Sequence, residues 1–161
     1  SLAARLAGRA ITLLDQTSEV LPLEDPEHTN LVLCGDISKH DTSPISSAFP
    51  QILTLYDAVN ESHHTVLFAI FTHVAAWHGS ADLPAEEILQ IQNAIKKTRH
   101  SIVISFGSPY VLRHFGRANA RIAAYDASRY AQGAVIGCLG GALRFSGKLP
   151  VHIPKAFIHE Q

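Results

Sequence analysis

The chain has no methionine, one tryptophan and two cysteines in 161 residues, and each scarcity excludes something. Without a methionine there is no initiator residue, so the chain is expected to be a piece of something longer or a processed product. Cys34 and Cys138 are too few for a disulfide framework. Cys34 falls in a strand pattern and Cys138 in a helix pattern, so both are expected to pack as small apolar side chains. Charge of one sign is also missing: 13 Lys and Arg face 14 Asp and Glu, a net −1, which offers no basic field to nucleic acid. No apolar run approaches the ~20 residues of a membrane-spanning helix. No signal-peptide pattern opens at Ser1, and the compartment stays open. There is no internal repeat, low-complexity tract or linker.

Several catalytic signatures are absent as well. No Gly-x-Ser-x-Gly elbow occurs. The stretch from Gly141 to Leu149 resembles a phosphate loop only superficially. It has five residues between its glycines instead of four, and Leu149 stands where Ser or Thr is needed. Of the ten histidines, His63 and His64 are adjacent and point apart on a strand. His73 and His78 are five apart, with no further Cys or His to complete a ligand set, so no metal and no cofactor is expected. Glu86 and Glu87 are the densest carboxylates, and the first turn of a helix explains them.

What is present is an α/β pattern. At 47% apolar and 17% charged, 161 residues suit one globular domain with a real core. The organising stretch is Ser101 to Tyr110, SIVISFGSPY. Ile102, Val103, Ile104 and Phe106 read as a strand covered on both faces, and Thr65 to Thr72, TVLFAIFT, reads as a second. Gly107 ends the first, Ser108 caps the helical turn after it, and Pro109 suits a first helical position.

In chain order the reading is a helix from Leu2 to about Gly8, a strand at Ile11–Leu14, a polar turn from Asp15 to Glu19, and a polar loop from Glu24 to Asn30. A strand comes next at Leu31–Cys34. Residues 37–50 read as a long loop with at most one helical turn, and Gln51–Tyr56 as a strand. After the strand Thr65–Thr72, Pro84 opens a helix whose Ile88, Ile91 and Ile95 form one stripe, with Lys96, Lys97 and Arg99 at its carboxyl end. Pro109–Phe115 is a short helix, Ala120–Ala124 a strand, Arg129–Leu139 a helix, and Val151–Ile153 extended. The expectation is a mostly parallel sheet of about six strands flanked by helices, a three-layer α/β/α sandwich, with residues 1–161 as a single domain.

The connection His73 to Asp82 comes after a buried strand and so lies at the carboxyl edge of the sheet, where ligands of parallel sheets gather. It holds the only tryptophan. A sugar ring offers an apolar face and a rim of hydroxyls, so Trp77 with His73, His78, Ser80 and Asp82 suits it chemically. The plain alternative is that Trp77 packs over the end of the core.

Several stretches together resemble the carboxyl-terminal α/β sandwich domain of glycoside hydrolase family 3. They are Ala10–Leu14 followed by Leu21-Pro22-Leu23, Leu83-Pro84 opening a helix, Val103–Tyr110, Ala124-Tyr125 with Ser128, Gln132 in the next helix, and Gly147-Lys148-Leu149-Pro150-Val151 with Ile153-Pro154. They run in the family's order from about residue 2 to residue 154. The resemblance implies an accessory domain packed on a catalytic (β/α)8 barrel, which carries the nucleophilic aspartate and is absent from this sequence. β-Glucosidase-like members take an acid/base glutamate from this domain. No glutamate lies between Thr72 and Ala85 here, so the resemblance is to the β-N-acetylhexosaminidase-like group, whose acid/base His–Asp pair sits on the barrel. It implies no catalytic residue in this chain, a carbohydrate as the parent's substrate, the barrel as partner, and an exposed docking face, expected as an apolar or aromatic patch of unusual size or as self-association of the isolated chain. The other reading is a stand-alone flavodoxin-like ligand-binding or interaction module.

Overall fold

The computed structural model describes residues 2–17, 19–72 and 83–148. Its elements are α1 (Leu2–Ala10), β1 (Thr12–Gln16), β2 (Asn30–Gly35), α2 (Ser43–Ala48), β3 (Gln51–Leu53), α3 (Leu55–Asn60), β4 (His63–Phe71), α4 (Ala85–Lys97), β5 (Thr98–Ser105), β6 (Ala120–Ala123) and α5 (Arg129–Leu139). Three 3-10 turns are interposed, at Pro26–His28, Ile37–Lys39 and Pro109–Phe115. The six strands form one sheet in the order β1-β6-β5-β4-β2-β3. All neighbours are parallel except β1, which runs antiparallel to β6.

Alternation along the central strands creates two cores. Leu67, Ala69 and Phe71 of β4, with Ile102 and Ile104 of β5 and Phe106 just beyond it, face one layer with Ile45 of α2 and Ala134, Val135, Cys138 and Leu139 of α5. Val66, Phe68 and Ile70, with Val103, face the other layer of Ala58, Ile91, Ala94, Ile95 and the Pro109–Phe115 turn. Burial on both faces explains the unbroken apolar runs, since neither face of these strands meets water. A three-layer sandwich results. Cys34 and Cys138 are free, buried, and on opposite faces of the sheet.

Local signals held where their partners were local. Ser108 accepts a hydrogen bond from Tyr110 N (3.3 Å) and Ser128 from Ala131 N (3.2 Å), each capping the turn it precedes. The helix at Arg129–Leu139 is as expected.

Four readings change. Residues 37–50 contain a 3-10 turn and the helix α2, and are not simply a loop. The strand expected over Gln51–Tyr56 stops at Leu53, because Thr54 caps α3 by accepting from Asp57 N (3.1 Å). Arg99 lies in β5, beyond the end of α4, so only Lys96 and Lys97 meet that helix's carboxyl end. Asp15 and Gln16, read as a turn, belong to β1.

The last change has a physical cause. A bulge between Leu13 and Asp15 shifts the β1–β6 register so that Asp15 stands opposite Arg121. Directly opposed residues in an antiparallel pair share a face, so the extra residue turns Asp15 toward the arginine. Arg121 is 1% exposed. Its Nε and one terminal nitrogen donate to the two Asp15 oxygens (3.0 and 2.5 Å), and the other terminal nitrogen donates to Leu112 O (2.8 Å).

Candidate functional site: the carboxyl edge of the sheet

Four connections leave the carboxyl ends of β2, β4, β5 and β6. The one after β4 is residues 73–82, so His73, Trp77, His78, Ser80 and Asp82 all lie outside the described residues, as does Val151–Ile153. What is described is the frame on which 73–82 begins and ends. The chain leaves β4 at Thr72 and is described again from Leu83, which is buried in the α3–α4 core.

That frame is tightly built. Phe71 and Phe106 stack at 4.9 Å and 15°, closing the core beneath the edge. Asp36 N donates to Phe71 O and Phe106 N to Ile70 O, both at 2.8 Å, which carries the ladder past the last paired residues. Gly35 has φ +82°, and a Cβ there would stand 2.2 Å from Phe71 O. Its amide donates to the Glu87 carboxylate (2.6 Å), so the first turn of α4 is tied to the end of β2. Glu87 therefore serves as a fastener as well as a complement to the helix dipole. A Cβ on Gly107 would lie 2.4 Å from Thr72 O, and Thr72 Oγ1 accepts from Ser108 N (3.3 Å). Ser105 Oγ donates to Ser108 O (2.7 Å). The exits of β4 and β5 are thus locked side by side, and only glycine fits between them.

On the β6 side Tyr125 takes φ 65°, a left-handed conformation uncommon for a residue with a Cβ. Its hydroxyl donates to Thr12 Oγ1 (2.8 Å), which in turn donates to Ala10 O (3.0 Å). Partial burial pushes the phenol's pKa up, against the opposing effect of the Thr12 bond. Asp126 Oδ1 accepts from Ser128 N (2.9 Å). On the β2 side the His40 ring lies 5.6 Å from that of Phe71. The Asp41 carboxyl is held below its usual range by hydrogen bonding to Ser43.

The Cys34 thiol, just inside the edge, is driven far up by burial, with the Glu87 charge adding to it. It is therefore not a thiolate nucleophile at neutral pH. No group of three His, Cys, Asp or Glu side chains among the described residues is placed to hold a metal ion. No helix among them is long and apolar enough to cross a membrane.

A hollow of about 260 Å³ opens at the opposite, amino edge, lined by Glu19, Val20, Leu23, Asp25, His64 and His100 among others. The His64 and His100 rings meet edge to face at 5.2 Å. Burial, then His64 and Arg99, lower the His100 pKa. No sequence pattern signals this hollow, because the loop before β2 and the starts of β4 and β5 meet only in the folded sheet. The partner of Arg121 was hidden too, although an arginine inside the apolar run Ala120–Ala124 signals that a buried partner must exist.

No family model matches the chain, and no curated protein matches it in sequence. Solved structures do. A fungal multi-domain GH3 β-N-acetylglucosaminidase matches with a TM-score of 0.69 at 14% identity, over 94% of this chain and 19% of that one. A β-glucoside phosphorylase matches with a TM-score of 0.70 at 16% identity, over 92% of this chain and 30% of that one. A family 3 β-N-acetylglucosaminidase from Paenibacillus sp. str. FPU-7 matches with a TM-score of 0.65 at 17% identity, over 91% and 31%. The chain thus spans between about a fifth and a third of these enzymes and has the fold of one portion of each.

Proposed function

We propose that this chain is the carboxyl-terminal, non-catalytic domain of a family 3 glycoside hydrolase of the β-N-acetylhexosaminidase type. The observation that carries the reading is coverage: nearly all of this chain matches a minor part of carbohydrate-active enzymes. The residue pattern that resembles the same family supports it independently. The matching solved structures include both β-N-acetylglucosaminidases and a β-glucosidase, so the choice of the β-N-acetylhexosaminidase group rests on the residue pattern. The lack of a glutamate between Thr72 and Ala85 favours that group over one whose acid comes from this domain.

In this reading the domain supports the barrel and borders its sugar site with the connection from His73 to Asp82. Trp77 stacks on the sugar or His78 donates a hydrogen bond to it. The interlocked exits of β4 and β5 give that connection a rigid base, which a positioning wall requires. Exposed Leu2 and Leu6 on α1, Leu143 after α5, and Tyr56 and Leu89 on α3 and α4 are among the apolar side chains available for docking. An interdomain face commonly buries ~600–1,500 Å², so the isolated chain self-associates.

The test has two arms. The isolated chain, free of contaminating enzyme, should leave aryl N-acetylglucosaminides intact. The gene should encode a (β/α)8 barrel directly upstream, and the full-length product should hydrolyse them. Turnover by the isolated chain that is lost on mutating one of its own carboxylates would sink the proposal, as would a gene with no barrel segment.

A further inference from the structure

Gln132 sits in the first turns of α5 and is 0% exposed. Three of the four hydrogen-bonding positions of its amide are engaged, including both N–H donors. Oε1 accepts from Ile45 N (3.0 Å), and Nε2 donates to Asp41 O (2.7 Å) and to Ala127 O (3.0 Å). Asp41 and Ile45 belong to the connection after β2, and Ala127 to the connection after β6. In the sheet these strands are not neighbours: β5 and β4 lie between them. One side chain therefore ties together the two carboxyl-edge connections that flank the exits of β4 and β5.

The bond to Ile45 also explains why α2 exists. A helix of six residues is marginal by itself. Its first amides need partners from outside. Ser43 N finds Asp41 Oδ1 (3.0 Å), Pro44 has no N–H, and Ser46 N finds Thr42 O (3.0 Å). Thr42 stands at the cap position and makes no side-chain cap bond. The remaining amide, Ile45 N, is satisfied by Gln132, 87 positions along the chain.

We propose that Gln132 is a positioning residue that makes the loops 36–45 and 124–128 a single unit, so that the wall facing a bound sugar keeps its shape on both sides of the β4 and β5 exits. The sugar half of this statement rests on the proposed function, whereas the coupling does not.

Gln132→Glu separates the two. As a carboxylate, its oxygens face the carbonyls of Asp41 and Ala127 and repel them. When protonated it can again accept from Ile45 N and donate to one carbonyl. Burial beside those carbonyls raises the carboxyl's pKa, which brings the switch into an accessible range. Residue-resolved hydrogen exchange should be compared with wild type at pH 7.5 and 5.5, as a ratio at each pH. The expected result is at least tenfold faster exchange in both loops together at pH 7.5, with β4 and β5 unchanged and most of the difference gone at pH 5.5. If Gln132→Glu does not fold, Gln132→Met carries the test: both loops should quicken together, equally at both pH values. Faster exchange in one loop alone, in neither, or uniformly across the chain overturns the coupling. In the full-length enzyme the same variant should raise KM for an aryl N-acetylglucosaminide at least threefold with kcat within twofold. Coupled loops with an unchanged KM would leave the coupling standing and remove the edge from the sugar site.

Discussion

The sharpest stability test is the ion pair under the edge strand. Arg121 is 1% exposed, while the Asp15 side chain keeps 30% of its surface. The two partners should therefore respond unequally to loss of the other. Asp15→Ala leaves a buried guanidinium with only Leu112 O as an acceptor among the described residues. Breaking a buried pair costs ~3–5 kcal/mol, and water reaching the vacated Asp15 position places this case at about 3 kcal/mol. In a domain of this size that lowers Tm by roughly 6–12 °C. Arg121→Met removes the charge itself and leaves an aspartate that water can solvate, together with one unmet carbonyl, so about 1–2 kcal/mol is expected. The double variant Asp15→Leu with Arg121→Met should fall within ~1.5 kcal/mol of wild type, since buried pairs replaced by apolar residues of similar volume are often neutral. Urea unfolding followed by circular dichroism, with the slope checked for constancy, gives all three values. An Asp15→Ala cost below ~1 kcal/mol, or a larger cost for Arg121→Met than for Asp15→Ala, would refute the argument that the bulge exists to neutralise a buried charge.

Two glycines should behave oppositely on mutation to alanine. Gly133 is exposed on α5 with nothing within 4 Å of an added Cβ, so Gly133→Ala should stabilise by about 0.5–1 kcal/mol, whereas Gly107→Ala drives a methyl against the Thr72 backbone and should cost ~1–3 kcal/mol in the same assay. The His100 pKa is lowered in the fold, so the unfolded chain binds more protons there. Stability is then full above the unfolded value of ~6.5 and falls as pH drops from there toward the lowered folded value. Scanning Tm from pH 7.5 to 5 should show a shallower decline in His100→Gln, and parallel curves would contradict the assignment. Cys34 and Cys138 both have raised pKa values from burial, so a thiol reagent at pH 8 should label neither until urea unfolds the chain, and rapid native labelling of Cys34 would count against its placement in the core.

The elements legible in the chain alone are those whose causes are local or belong to whole-strand burial. β4 is apolar from Val66 to Phe71 and β5 from Ile102 to Ile104, the stretches buried between two helix layers, and a strand covered on both faces favours such runs. α5 begins after Ser128 because that hydroxyl can reach an amide three residues on, and it stops before the glycine pair. The stripe of α4 was legible from its own spacing, and burial of Ile91 and Ile95 matches it. These features need no knowledge of what lies across the fold. Other features depend on contacts made only once the chain is folded. α2 is a helix because Gln132 supplies a missing cap from 87 residues away. Asp15 is in a strand because a bulge sets it opposite Arg121, 106 positions along the chain. The amino-edge hollow exists because three separated segments converge on it. In each case the deciding interaction joins residues whose separation carries no periodicity, so no local pattern records it.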